Sequence, residues 1–291
     1  MNIAIISRGE NLYSTRSLFK AGASRNHVME VLDPNRCTQA IEDGKPVLYF
    51  NNEPVNDLDA VIPRIGASNT YFGAALVRHF QSMGVFCVVQ AEPILQSRNK
   101  WTCNQVLAHA KIPVPKTVLG TSGDVEGMLD IFGDPPYIIK VLQGTHGHGV
   151  ILAETYRGAV STIETLLTSK VRFVIQEFIE ESNGSDLRAI VVDGKVVGAM
   201  KRQGQDGEFR SNLHRGGSSE VIKLSYAEEN LALRAAKALR LGVCGVDILQ
   251  SNRGPLVLEV NSTPGLEGIE TTTGISIAGQ IISYIERNKR R

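Results

Sequence analysis

Cysteine is scarce in this chain: Cys37, Cys87, Cys103 and Cys244 are the four in 291 residues, far apart and with no C-x-x-C pair. No disulfide framework is readable from such spacing, and free thiols in a reducing compartment are expected. Long apolar runs are lacking too. The opening MNIAIISRGE holds only Ile3 to Ile6 before Arg8, too short for a signal-peptide core, and no run elsewhere reaches membrane-spanning length. These absences point to the cytoplasm and away from a membrane. Nor does one sign of charge dominate. With 31 Lys plus Arg against 30 Asp plus Glu, the net charge is +1, which excludes global attraction to nucleic acid. Repeats and low-complexity tracts are missing as well.

What is present suffices for two or three lobes with real cores, since 42% of the residues are hydrophobic. IAIIS, a helical stretch and HVMEVLDP read as a β-α-β unit, and LDAVIPRIG followed by YFGAALVRHFQSMGVFCVV repeats it. One α/β lobe over residues 1–95 follows. A helix is expected from about Ser97 to Ala110, and the prolines of KIPVPKTVLG then punctuate the chain. VEGMLDIF reads as helix, YIIKVL, GVILAE and RFVIQEFI as strands, and Val160, Ile163 and Leu167 mark another helix. From Asp186 the pattern turns antiparallel, with Asp193-Gly194 as the hairpin turn of DLRAIVVDGKVVGAMKR. A polar, Gly-rich loop from Gly204 to Ser219 is long enough to be functional. Ser225 and Glu228 form a capping box for a helix to about Arg240. VCGVDILQ and PLVLEV make a strand pair, and ISIAGQIISYIER ends the chain as a helix.

The chemistry-bearing residues sit inside these elements. In LEVN, Glu259 and Asn261 are two apart on a strand and share a face. Pairing with GVDIL would bring Asp247 beside Glu259. Two carboxylates and an amide oxygen are hard ligands suited to Mg²⁺. The competing reading is an edge strand with a solvated polar face. In YIIKVLQGTHGHGVIL, Lys140 lies in an apolar strand and Gly144, Gly147 and Gly149 follow, a loop whose N–H groups could approach phosphate closely. It is neither G-x-x-x-x-G-K-[ST] nor G-x-G-x-x-G, and it joins strand to strand, which disfavours a P-loop or dinucleotide site. An ordinary hairpin with Lys140 guarding its edge stays open, and His146 and His148 lack further ligands for a metal site. Arg202, Arg210, His214 and Arg215 form a basic cluster suited to phosphoryl or carboxylate oxygens, or simply to solvation. Arg64, Arg188 and Arg202 are candidates to hold a substrate carboxylate, Arg202 ahead of Arg64, each with the competing reading of a strand arginine paired within the protein. The cations of ERNKRR need no more than a helix C-terminus.

Taken in order, the Lys140 strand with its glycine loop, QEFIEE, RSNLHRGG, GVDIL and LEVNSTPGLEGIE resemble the ATP-grasp superfamily. SRGENLYS, LDP, VIPRIG, FRSNLHRGG and EVNSTPGLEGIE together are similar to its RimK family, over nearly the whole chain. The resemblance implies an α/β and α+β protein, an ATP-grasp fold with an N-terminal Rossmann-like pre-ATP-grasp domain. It divides the chain into residues 1–95, a central lobe over 96–180 with the phosphate loop, and a C-terminal lobe over 181–291 with the magnesium site. It further implies an ATP-dependent ligase adding glutamate to the C-terminal tail of a small-subunit ribosomal protein. An acyl phosphate is formed, ADP and phosphate are released, and poly-glutamate synthesis is a related activity. The resemblance also implies a homotetramer, and no direct nucleic-acid binding is expected.

Residue by residue, the resemblance puts Lys100 and Lys140 on ATP phosphates, the backbone of Glu177 and Phe178 at the adenine and Asp186 on the ribose. Arg210, Ser211 and Asn212 close over the phosphates as part of the lid. Asp247, Glu259 and Asn261 hold two Mg²⁺ or Mn²⁺ ions, with Glu259 between them. Arg210, Lys140 and Arg202 are the catalytic cations. By its own surroundings Lys100, in SRNKW, reads only as a helix-surface lysine. Three alternatives stay open: a grasp ligase for another amino acid or acceptor, a non-catalytic ATP-binding regulator, and an oxidoreductase. The oxidoreductase is the weakest because SRGENLYS lacks the glycine fingerprint.

Overall fold

Ile3 to Ile6 are fully buried and make the heart of β1 (Asn2–Ile6), the strand on which the first lobe is built. The computed structural model describes residues 1–121, 123–142, 149–205, 207–209, 211 and 216–289. After α1 (Tyr13–Ala23) and β2 (Val28–Leu32), the strands β3 (Cys37–Glu42), β4 (Lys45–Phe50) and β5 (Glu53–Pro54) form a small antiparallel sheet. That sheet was not anticipated, although its turn Asp43-Gly44 is left-handed at both residues, as two-residue hairpins require. β6 (Ala60–Pro63), α2 (Thr70–Ser82) and β7 (Phe86–Cys87) complete a parallel sheet of order β2-β1-β6-β7.

The single helix expected from Ser97 to Ala110 is instead two, α3 (Ala91–Arg98) and α4 (Lys100–His109). Asn99 leaves the helical region (φ −88°, ψ 106°), and its side-chain oxygen accepts the N–H groups of Trp101 and Thr102, both at 3.1 Å. This is an N-cap, and it satisfies two donors at the new helix start. Lys100 is thereby the first residue of α4.

The next sheet, of order β10-β9-β11-β8, is antiparallel and comprises β8 (Thr117–Leu119), β9 (Tyr137–Val141), β10 (Val150–Ala153) and β11 (Phe173–Glu177). With α5 (Val125–Asp130) and α6 (Tyr156–Thr168) it encloses its own core, in which Tyr137, Ile139, Phe173 and Ile175 are buried. β12 (Ser185–Val192) and β13 (Lys195–Gln203) turn through Asp193 and Gly194 at φ 52° and 70°. β14 (Ser218–Val221) follows, so the end of the stretch expected to be loop through Ser219 is a strand on β13. α7 (Tyr226–Ala238) begins with the Ser225–Glu228 capping box. β15 (Val243–Leu249), β16 (Leu256–Asn261), α8 (Glu267–Thr273) and α9 (Ile277–Lys289) close the chain. The five-stranded sheet runs β14-β13-β12-β15-β16, antiparallel throughout.

One continuous core joins the first sheet to this last one, whereas the β8–β11 sheet packs on its own. Cys103, Leu107 and Ile112 belong to the shared core even though they fall within the span read as central lobe. The chain ends are tied together: Glu286 of α9 takes Arg25 at 2.5 Å and His27 at 2.9 Å. Among the described residues no helix is long and apolar enough to cross a membrane.

Candidate active site

Four adjacent strands place charged side chains in register. Asp186 on β12 faces Arg202 on β13, Arg188 on β12 faces Asp247 on β15, and Asp247 faces Glu259 on β16. The pairing of Asp247 with Glu259 is the one expected from the strand pattern. A bulge just beyond it sets Ile248 opposite Val257, leaving Leu258 as the extra residue. Arg188 donates to both Asp247 oxygens at 2.7 and 2.6 Å, and Arg202 adds a third bond at 2.9 Å. Arg202 also grips Asp186 bidentately at 2.7 and 2.5 Å. Two carboxylates thus meet two guanidiniums, and the charges balance.

Electrostatics follow from that balance. Burial works to raise the Asp247 carboxyl, but Arg188 and Arg202 outweigh it and hold the group well below the usual carboxylate range. Burial likewise disfavours the Arg202 cation, yet Asp247 and Asp186 keep it protonated beyond its ordinary value. Arg202 and Arg188 were candidates for a substrate carboxylate. Both are paired with protein carboxylates here, as the competing reading of a paired strand arginine has it.

Asp186 is buried, and besides Arg202 it accepts the Ser211 hydroxyl. Both its oxygens are engaged, and a ribose hydroxyl would have to compete with Ser211 to bind there. Asn261 and Glu259 share one face, and the Asn261 amide nitrogen donates to Glu259 Oε1 at 3.0 Å. Glu259 is exposed, and its carboxylate and the Asn261 amide oxygen are donors of the kind Mg²⁺ accepts. Asp247 beside them keeps one oxygen, Oδ1, with a single arginine bond. The chemistry of this donor set fits a magnesium ion, which Glu259, Asn261 and the remaining lone pair of Asp247 would hold. Among the described residues no group of three His, Cys, Asp or Glu side chains is placed to hold a metal ion.

Facing this sheet are two lysines. Lys140 on β9 donates to Gln176 Oε1 on β11 at 2.6 Å, and Gln176 in turn donates to Thr117 on β8 at 3.0 Å. Burial pushes the Lys140 ammonium down to about 8, and Lys100 adds to the fall while Glu259 and Asp247 oppose it. Lys100 reaches from the start of α4 to the Val141 carbonyl at 3.1 Å. Burial lowers it too, against the pull of Glu259. Glu259 therefore stands in the field of both lysines, and the space between the two sheets has cations on one side and oxygen ligands on the other. Lys100, unremarkable in its own sequence surroundings, is placed there by the Asn99 cap.

At the far end of β11, the Glu177 N–H is spent on the Lys116 carbonyl at 3.0 Å, and its carboxylate takes Arg253 and the Lys116 N–H. An adenine at this point would find the Glu177 N–H already engaged. Gly149, which closes the glycine loop, sits at φ 73°, and a β-carbon there would stand 2.3 Å from Val141 Cγ2. Only glycine suits that turn. Arg210 and Asn212 lie outside the described residues, as do Gly144, Gly147, His146, His148, His214 and Arg215. Gln176 was missed by sequence reasoning, although a lone amide within FVIQEFI was a signal that something polar faces it.

A cationic lysine on one antiparallel sheet, a second at the start of α4 and oxygen ligands on another antiparallel sheet, with a parallel sheet preceding them, define an ATP-grasp ligase. Solved structures agree on the fold. A RimK-domain ATP-grasp protein from Sphaerobacter thermophilus superposes with a TM-score of 0.74 at 21% identity, covering 98% of this chain and 100% of that one. The ATP-grasp ligase PsnB, complexed with a phosphomimetic variant of its minimal precursor, Mg and ADP, gives 0.75 at 18% identity over 100% and 98% of the two chains. A family model for the RimK-like ATP-grasp domain matches residues 97–285, and one for the RimK pre-ATP-grasp domain matches residues 1–94. A protein of Halorhodospira halophila named a probable alpha-L-glutamate ligase is 48% identical over 291 residues, covering 100% of this chain and 96% of that protein. The chain belongs to the RimK family.

Proposed function

We propose that this enzyme joins the amine of L-glutamate to a carboxylate at the C-terminus of a polypeptide, using ATP through an acyl phosphate. The observation that carries this reading is the meeting of Lys100, Lys140 and Glu259 between two sheets. The names borne by relatives, such as the alpha-L-glutamate ligase above, support glutamate as the amine. In the first step a carboxylate oxygen of the acceptor attacks the γ-phosphorus and the bond to the β-γ bridging oxygen breaks, releasing ADP. In the second the glutamate nitrogen attacks the acyl carbon, inorganic phosphate leaves, and the amine gives up a proton. Lys140 and Lys100 neutralise phosphate oxygens as charge moves toward ADP. A magnesium ion on Glu259, Asn261 and Asp247 would supply Lewis-acid neutralisation of phosphate charge when bound. Arg188 and Arg202 keep Asp247 ionised and fixed in direction, a positioning role, while Asp186 holds Arg202.

Exclusion of water from between the sheets once substrates are bound would protect the acyl phosphate. The separate core of the β8–β11 sheet lets that lobe shift as a body against the rest. We assign the adenine to the Glu177–Phe178 segment, the ribose to Asp186 and the lid to the stretch from Gly204 to Ser219, including Arg210 and Asn212, although its last two residues lie in β14. The C-terminal tail of a small-subunit ribosomal protein as acceptor, poly-glutamate as a further product, two metal ions, a cytoplasmic setting and a tetramer are proposals resting on family resemblance.

The test is ADP release with ATP, Mg²⁺ and glutamate, with and without a peptide ending in glutamates, alongside peptide mass. Mass steps of one glutamate residue with matching ADP are expected. Glu259→Ala should abolish both and leave the fold intact, because the side chain is exposed. ADP formation by that variant at the wild-type rate would overturn the site assignment. ADP release only with another amino acid would overturn glutamate as the amine.

A further inference from the structure

Beyond the ATP site, the C-terminal ends of β1 and β6 carry a concentration of arginine, of which Arg64 and Arg98 have no ion pair among the described residues. These two strands are neighbours from which the chain leaves in opposite directions, β2 lying outside one and β7 outside the other. Crevices at such switch points are where open parallel sheets bind ligands. Arg64, the first residue after β6, donates one bond, from Nη2 to the Pro264 carbonyl at 2.8 Å. Its Nε is buried and has no hydrogen-bond partner among the described residues. Arg98, at the end of α3, is close enough to weaken the Arg64 cation, and its own partners among the described residues are neutral oxygens. These are the carbonyls of Gly66 (3.0 Å) and Ile65 and the hydroxyls of Thr70 (2.8 Å) and Thr263 (2.9 Å). Arg8, in the loop after β1, lies over Gly66, its Nη2 3.3 Å from where a β-carbon on that glycine would stand.

Neither Arg64 nor Arg98 has an ion pair among the described residues. Burial lowers both guanidiniums to about 10, and for Arg64 the Arg98 charge adds to the fall while Glu270 opposes it. Glu270 is otherwise engaged, taking Ser17 at 2.7 Å and the Ala278 N–H at 2.8 Å. Gathered, partly desolvated cations without a counter-charge are costly unless an anion completes them. The cluster also borders the reaction centre. Thr263 follows the metal-site Asn261 by two residues, and Arg98 precedes Lys100 by two.

We propose that Arg64, with Arg98 and Arg8 beside it, forms a binding site for a substrate carboxylate that is held and not activated, at the junction of the β1 and β6 loops with the loop after β16. The inference rests on the ligase reading for the identity of the anion. Phosphate oxygens already have Lys100 and Lys140, whereas a planar fork such as the free Nε edge of Arg64 matches a carboxylate. Both glutamate and an acceptor terminus bring such a group.

The experiment compares wild type, Arg64→Gln and Arg64→Lys in the full chain. ADP release is followed while glutamate, a glutamate-terminated peptide and ATP are each varied in turn. Arg64→Gln should raise KM for one carboxylate substrate roughly 10- to 100-fold, the loss of a charge-assisted bond. The KM for ATP should stay within about twofold, and Arg64→Lys should recover part of the loss. A rise for glutamate assigns the site to the amino acid, and a rise for the peptide assigns it to the acceptor. Unchanged KM for both substrates overturns the proposal, as does a loss of kcat and melting temperature with no KM split in either variant. Should wild type release no ADP with any amino acid, the ligase reading fails. The anion site is then judged by glutamate-induced stabilisation in thermal melts: present in wild type and lost in Arg64→Gln supports it, and equal or absent in both overturns it.

Discussion

Lys140 is a cation that the fold holds at a cost, and the cost can be measured. Its ammonium falls from 10.5 to about 8 because burial strips water from it. At 1.36 kcal/mol per tenfold change in proton affinity, this amounts to about 3 kcal/mol of stability withheld below pH 8. The sign is set by the direction of the shift. Below pH 8 the lysine is charged in both states and the folded state bears the full cost. As pH rises from 8 toward 10.5 the folded protein loses its proton before the unfolded chain does, so the cost fades, with about 2 kcal/mol regained by pH 9.5. Replacing the residue by methionine removes this term and also strands Gln176 Oε1, whose unpaired oxygen costs about 1 to 3 kcal/mol. Lys140→Met is therefore expected to be neutral or up to about 2 kcal/mol more stable than wild type at pH 7, with ATP turnover lost. Urea denaturation of both proteins at pH 7 and 9.5 separates the terms, since Gln176 does not titrate. The gap in favour of Lys140→Met must shrink by about 2 kcal/mol at the higher pH. Parallel pH profiles would refute the reasoning, because they would mean that Lys140 is not desolvated in the folded protein.

Two further outcomes are expected. Asp247→Ala leaves Arg188 and Arg202 without their shared carboxylate, and a loss of about 3 to 5 kcal/mol in urea denaturation is expected. A loss below 1 kcal/mol would mean that the arginines find other partners. Asn99→Ala removes the cap of α4 and should cost about 1 kcal/mol while raising KM for ATP, since Lys100 is the first residue of that helix. An unchanged KM would detach Lys100 from the phosphate site.

The readable part of the site is the part written in local periodicity. Glu259 and Asn261 share a face because strand side chains alternate, and that holds for any sheet the strand joins. The Asp193-Gly194 turn and the Ser225–Glu228 cap are decided within four residues by backbone conformation and hydrogen bonding. The order of motifs sufficed for the family because each motif carries its own chemistry. The break at Asn99 was also local, yet a helix pattern on both sides concealed it, and the weak alternation of residues 37–54 concealed the small sheet.

The amino-acid sequence by itself thus determined which residue types line the site and which face of each strand they take. The tertiary structure alone decided who meets whom. Arg202, equally suited in sequence to a substrate, is consumed by Asp186 and Asp247, since the register of three strands sets them within hydrogen-bond reach. Arg98 meets Thr263 across 165 positions, and Lys100 reaches Val141 across 41. A charge has no partner until the chain folds, because partnership depends on distances that local pattern does not encode. For the same reason it is the tertiary structure that leaves the Arg64 guanidinium without an ion pair among the described residues.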